Sequence, residues 1–225
     1  MNREVPALKF QSSSLHNERR TFATNWPLHL MMAALVLLWI VLGIHPVEWK
    51  QWWIENILPV LCVGFLAFTY HRFTFSNTSY LLIAIFLALH LTGAHYAYKY
   101  SPVDFWFKNT FHAQHGISDR WVHFAYGLLL LYPVQEWISF YCSLRRGWLL
   151  GFAFSLLLSA SAFFEILEMG VALVFSQAGA DYMGIQGDPL DSPKDMAMAL
   201  FGELGGTGCL LWLQEAGFSR REPAR

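Results

Sequence analysis

Two residue pairs at helical spacing carry most of the chemistry this sequence offers. Asp119 and His123 stand four apart, and Glu165 and Glu168 three apart, so each pair would share one face of a helix. Arg120 adjoins the first pair, and Tyr126 lies three beyond His123 on the same side. Asp181, Gln186, Asp188, Asp191 and Asp195 crowd the stretch after the second pair, and His95 adds an imidazole upstream. Imidazoles among carboxylates suit a divalent metal: zinc through nitrogen and oxygen, magnesium, manganese or calcium mostly through oxygen. The metal ligands read from these residue types are His95, Asp119, His123, Glu168, Asp188, Asp191 and Asp195. A bound metal would activate water. Glu165 would then serve as general base, and Arg120 would grip a substrate phosphate or carboxylate bidentately. Three readings stay open: a metal or catalytic site, proton or solute handling, and a hydrogen-bonded structural network. Helix starts support the last. Ser118 reads as an N-cap with Asp119 in the first turn, and Ser192, Pro193 and Asp195 read as cap, first position and capping-box-like acid.

What must position these groups is a membrane bundle. Hydrophobic residues make up 55% of the 225 and charged ones 14%, where a soluble domain carries about 25% charged residues. That excludes an ordinary soluble globule and a disordered chain. A net charge of −1 gives no basic excess for nucleic acid. Six segments approach the roughly 20 mostly apolar residues a spanning helix needs. They run from about Trp26 to Ile44, Ile54 to Tyr70, Thr78 to Tyr98, Trp121 to Tyr141, Trp148 to Phe175, and Pro193 to Gln214. The expected architecture is all-α: one polytopic bundle of about six transmembrane helices over 26–214, flanked by segments 1–25 and 215–225. Trp26, Trp49, Trp52, Trp53, Trp106, Trp121 and Trp148 fall at span ends or in loops, as an interfacial belt. The segment His45 to Glu55 is expected along that interface. Arg19 and Arg20 read as an anchor, because no small-residue cleavage site follows the long apolar run. Cys62 and Cys209 lie in spans and Cys142 at a helix end, which predicts no disulfide.

Lys and Arg gather on the cytoplasmic side of membrane proteins. With the N-terminus inside, ten of the fifteen are cytoplasmic: Arg3, Lys9, Arg19, Arg20, Arg72, Arg145, Arg146, Arg220, Arg221 and Arg225. Both termini are therefore expected in the cytoplasm. At about 1.5 Å per residue, His95, Asp119, His123, Glu165, Glu168 and the acids of the last loop then reach one depth near the outer face. Deeper in the bundle, His90 is expected to pair with Glu203, and Glu136 with Arg145 or Arg146. Gly202, Gly205, Gly206 and Gly208, with Ser155, Ser159 and Ala162, predict close packing of the fifth span on the sixth.

Four segments stand out together: GAHYAY from Gly93, HGISDRWVHF from His115, FFEILEM from Phe163, and DYMGIQGDPLDSPKDM from Asp181. In order and spacing they resemble the uncharacterised bacterial inner-membrane YjdF family, over most of the chain. The family's Gly-Gly-His-Tyr-like segment is matched by Gly93, Ala94, His95 and Tyr96. Its Tyr-Asp-Arg and His-Phe segment is matched by Asp119, Arg120, His123 and Phe124, with Ser118 at the Tyr. Its paired Glu correspond to Glu165 and Glu168. Its last motif is matched by Gln186, Gly187, Asp188, Asp191, Asp195 and Met196, with Ile185 for Thr and Leu190 at an aromatic position. The resemblance implies a bacterial inner (plasma) membrane. A looser likeness to VanZ-type membrane proteins implies a cell-envelope role, although the VanZ-like Asn of the final helix has no counterpart here. The expected function is a metal-dependent hydrolase or transferase (Zn or Mg) on a lipid or cell-envelope substrate. The alternatives are a non-catalytic binder of an envelope component and a proton-coupled or small-solute transporter.

Overall fold

The computed structural model describes residues 21–175 and 190–219, and among them every regular element is a helix. A short 3-10 turn, Phe22–Thr24, leads into α1 (Trp26–Leu42). Then come α2 (Trp49–Glu55), α3 (Ile57–Thr69), α4 (Asn77–His95) and α5 (Pro102–Phe111). The chain continues through α6 (Ser118–Tyr141) and α7 (Arg146–Phe175), and α8 is Asp191–Ser219. Trp49–Thr69, Asn77–His95, Arg146–Val171 and Asp191–Leu213 are long and apolar enough to cross a membrane. Of the other two expected spans, α1 is apolar but has 17 residues, and α6 has 24 residues but carries Asp119, Arg120, His123, Gln135 and Glu136. The exposed surface is rich in large apolar side chains, among them Phe68, Val60, Leu61, Trp26 and Trp212. Water would penalise that surface and a hydrocarbon phase would not. At 30 residues α7 is about 45 Å long, against a hydrocarbon core of about 30 Å, so it must tilt or project from the bilayer.

The helix order follows from a few contacts. The most extensive pairing joins α6 and α8, and α4 and α7 also pack on α6, so α6 is the hub. α1 lies against α4, and α7 also touches α8. The glycine seam is where the expectation needs correcting. Gly202 and Gly206 face α6: a Cβ on Gly202 would collide with the Phe124 carbonyl, and one on Gly206 would lie 3.0 Å from the Leu128 carbonyl. Gly127 of α6 returns the contact, since its Cβ would collide with the Ala199 carbonyl of α8. The close approach is thus between the fourth and sixth predicted spans, where both helices supply glycine. Ser155 and Ser159, assigned to the seam from sequence, are exposed.

Three further corrections concern polar partners. The second predicted span begins earlier, at Trp49, and is jointed at Asn56. Buried Asn56 donates from Nδ2 to the Trp52 carbonyl at 2.6 Å and accepts the Trp39 indole N–H at 2.6 Å, which fixes the joint to α1. Trp52 is therefore a core residue against Leu91 and Ala94 rather than part of the interfacial belt. Glu136 pairs with neither Arg145 nor Arg146 among the contacts described. It accepts from the Ser76 backbone N–H at 2.8 Å and the Ser76 hydroxyl at 2.9 Å, and the Ser79 hydroxyl donates to it as well. It therefore reinforces the N-terminus of α4, where Ser76 is the cap.

Candidate functional site

The polar end of the bundle is assembled on the first turns of α6. The expected cap, Ser118, is instead the first helical residue. Asp104 of α5 does the capping: its Oδ1 accepts the backbone N–H of Ile117 at 2.8 Å and of Ser118 at 2.7 Å. Those two donors have no partner within their own helix, and a carboxylate there also complements the helix dipole. Ser101 caps α5 through the Asp104 N–H at 3.0 Å and touches the Ser118 hydroxyl. A loop in the sequence reading is thus a helix whose buried acid anchors α6.

That anchor sets the directions of Asp119, Arg120 and His123. His123, 8% exposed, points Nε2 toward Asp119 Oδ1 at 3.8 Å and Glu165 Oε1 at 3.4 Å. Arg120 donates from Nη1 to the Gly116 carbonyl and from Nη2 to Asp191 Oδ1, each at 3.3 Å. Side chains from α6, α7 and α8 therefore meet, as the sequence spacing implied for Asp119, His123 and Glu165. Glu165 and Asp195 are 5% and 3% exposed, and neither Glu165 Oε1 nor Asp195 Oδ1 finds a hydrogen-bond donor among the described residues. Burying an acceptor without a donor costs on the order of 1–3 kcal/mol, which marks both as places where a ligand or proton would be welcome.

His95 sits elsewhere. Its Nδ1 donates to the Leu42 carbonyl at 2.6 Å, and its own carbonyl accepts the Val47 N–H at 2.9 Å, so it ties the end of α4 to the end of α1. Asp181, Gln186 and Asp188 lie outside the described residues. Among the described residues no three His, Cys, Asp or Glu side chains converge as ready metal ligands.

Below the polar end lies a cavity of about 370 Å³ between α3, α4, α6 and α7. Its lining on α6 runs from Asp119 to Trp137, about 27 Å along the helix. Asp119, His123, Glu168, His90 and Tyr98 stand at one end. The walls beyond them are apolar, including Leu58, Cys62, Phe86, Leu130 and Phe164.

Sequence reasoning missed one part of this lining. His90, 2% exposed, does not pair with Glu203. Its Nε2 lies 3.0 Å from the Glu55 carbonyl, which can only accept, so Nε2 carries the proton and Nδ1 accepts from the Tyr98 hydroxyl at 2.9 Å. The Glu55 carboxylate is 3.7 Å from Nε2. Tyr98 reaches back because Ala97 and Tyr98 both adopt left-handed backbone, with φ of 46° and 52°, and the Tyr98 N–H bonds the Gly93 carbonyl at 2.8 Å. Two such non-glycine residues cost on the order of 1–2 kcal/mol each. The only hint in the sequence was a charged residue, Glu55, at the edge of an apolar run. Glu203 is fully buried in α8, with neither carboxylate oxygen partnered among the described residues.

Comparison with known proteins fits this picture. A family model described as Predicted membrane protein (DUF2238) matches residues 27–214. The chain is 29% identical over 181 residues to the inner membrane protein YjdF of Escherichia coli strain K12, covering 79% of this chain and 87% of that protein. No solved structure matches.

Proposed function

The chain belongs to the DUF2238 family of predicted membrane proteins; on the geometry of its polar end, we propose that it is a bacterial inner-membrane hydrolase or transferase acting on a lipid or cell-envelope substrate. One observation carries the reading: a buried imidazole, His123, is flanked by the carboxylates of Asp119 and Glu165 at the polar end of an otherwise apolar cavity. An imidazole held between carboxylates is suited to take a proton from an attacking hydroxyl or water and return it to a leaving group. Arg120 spends its guanidinium on Gly116 and Asp191, and so holds the start of α8 beside the site. The location follows the inner-membrane relative. The polar end faces outward and both termini face the cytoplasm, on the asymmetry of Lys and Arg.

A divalent cation, zinc or magnesium, fits the donor types here. Asp119, His123, Glu165, Glu168, Asp191 and Asp195 are the nearest candidates, and the unpartnered oxygens of Glu165 and Asp195 favour a ligand. Asp188, also read from sequence as a ligand, lies outside the described residues. The test is elemental analysis of the purified protein beside His123→Ala and Asp195→Ala variants. A stoichiometric divalent metal lost in both supports the metal-dependent form. Absence of metal, with no turnover of lipid esters or envelope substrates by folded wild type, sinks the enzyme reading and favours the non-catalytic binder.

A further inference from the structure

We infer that the cavity holds one hydrocarbon tail of an amphiphile whose head carries hydroxyl or ammonium donors rather than a phosphate. The inference rests on the same site as the proposed function, and concerns what occupies it rather than what is done to it.

The shape argues for a tail. The lining follows α6 for about 27 Å, nearly the roughly 30 Å of a bilayer's hydrocarbon core. The cavity is long, apolar along its length and polar at one end, which is the polarity of a lipid. In a membrane such a space fills from the side. The backbones of α3 and α7, which face each other across it, do not pack together as α6 and α8 do. α3 is held instead by side chains, Leu58, Cys62 and Leu66 against α4 and the Phe65 ring 6.0 Å from Trp137.

The polar end argues for the head. Among the described residues its ionisable lining is Asp119, Glu168, His90, His123 and Tyr98, with no Lys or Arg. His90 has both ring nitrogens engaged, by the Glu55 carbonyl and the Tyr98 hydroxyl. Arg120, the nearest cation in sequence, is engaged with Asp191 and Gly116. With no Lys or Arg in that lining to neutralise a phosphate, what this end offers a ligand is the carboxyl oxygens of Asp119 and Glu168 and the imidazole of His123, which suit a hydroxyl or ammonium head.

Three photoreactive probes with the diazirine in the tail test this: hexadecylamine, monopalmitoylglycerol and hexadecyl phosphate, each presented to the full chain in nanodiscs. The expected result is saturable labelling of lining peptides of α3 and α7 by the amine and the glyceride, at least about tenfold more efficient than by the phosphate. Ala160→Phe and Cys62→Phe, which fill the cavity from opposite walls, should abolish that labelling, with the melting temperature reporting that they fold. Asp119→Asn with Glu168→Gln should narrow the head preference without removing labelling. Labelling spread over lipid-facing α1, or unchanged in folded cavity-filled variants, overturns the tail. Equal or better labelling by the phosphate overturns the head assignment, and this arm needs only wild type. Labelling is read without turnover or metal. It can therefore hold where the enzyme reading fails, and fail where that reading holds.

Discussion

The two sides of α6 are built on opposite principles. Toward α8 the backbones touch: Gly127 and Gly202 leave no room for a single Cβ. Toward α3 the same helix borders a cavity of about 370 Å³. In a bilayer there is no gain from hiding apolar side chains, which lipid solvates as well as protein does, so helices join through close van der Waals contact of small residues. The seam is where the bundle is held together. The cavity side is free to stay apart, and Asp119, His123 and Glu168 line it, whereas Asp195 and Glu203 belong to α8 on the seam side. The face of α6 that packs closely and the face that borders the cavity are thus different.

The sharpest way to break that contrast is to add bulk to the seam. Gly202→Leu and Gly127→Leu would drive a side chain into a backbone carbonyl of the opposite helix, which rotamer changes cannot relieve. Overpacking of ordinary cores costs about 1–3 kcal/mol, and a collision with helix backbone should exceed that. Neither variant should yield folded, detergent-stable protein by size-exclusion chromatography. Gly208→Ala, where nothing lies within 4 Å, should behave as wild type or melt slightly higher. Equal losses at Gly202 and Gly208 would refute the seam.

Next in size is the anchor of α6. Asp104→Ala removes a 3%-exposed carboxylate that satisfies two backbone donors. A loss of about 2–3 kcal/mol is expected from the cap and the stranded donors, read as a lowered midpoint in a denaturant or thermal series. Because Asp104 fixes the first turn that carries Asp119, Arg120 and His123, ligand labelling should fall with it. Unchanged stability would mean the cap is water-replaceable.

How much of this could be read beforehand divides along the same line. Apolar runs located the long helices to within a few residues, because a membrane span leaves little choice of length or composition, but they missed α5, which was read as a loop. The spacing of Asp119 with His123 and the depth of Glu165 foretold that they would meet. Helix order was not legible. Gly202 announces a close neighbour but not which one, and the answer depended on Gly127, a lone glycine in a polar helix. Contacts that cross long stretches of chain were equally hidden: Glu136 onto Ser76, and Asp104 onto Ser118. The sequence reading gave Glu136 the nearest cations, Arg145 or Arg146, and made Ser118 itself the cap. Tyr98 was out of reach for a local reason, since its position needs left-handed backbone at two non-glycine residues.

Tyr98 supplies a smaller effect on the cavity side. Tyr98→Phe keeps the ring against Gly93 but withdraws the proton given to His90 Nδ1. One buried hydrogen bond is worth about 0.5–1.5 kcal/mol, and an unsatisfied acceptor on His90 could bring the total to about 2 kcal/mol. A modest fall in melting temperature is expected, with the activity proposed for His123 retained. Loss of that activity at full stability would make Tyr98 part of the chemistry.

A small effect is expected from an equally large addition on the cavity side. Ala160→Phe puts a whole ring on α7, but into open cavity rather than against backbone. Filling empty apolar space gains dispersion contacts and forces no neighbour off its rotamer, so the melting temperature should stay within the equivalent of about 1 kcal/mol. Set beside Gly202→Leu, the comparison isolates location from size, because both changes add apolar volume to a helix of the same bundle. If Ala160→Phe were as damaging as the seam variants, the cavity would not be open space but a region already closed by packing. The division of α6 into a closely packed face and one that borders a cavity would then fall with it.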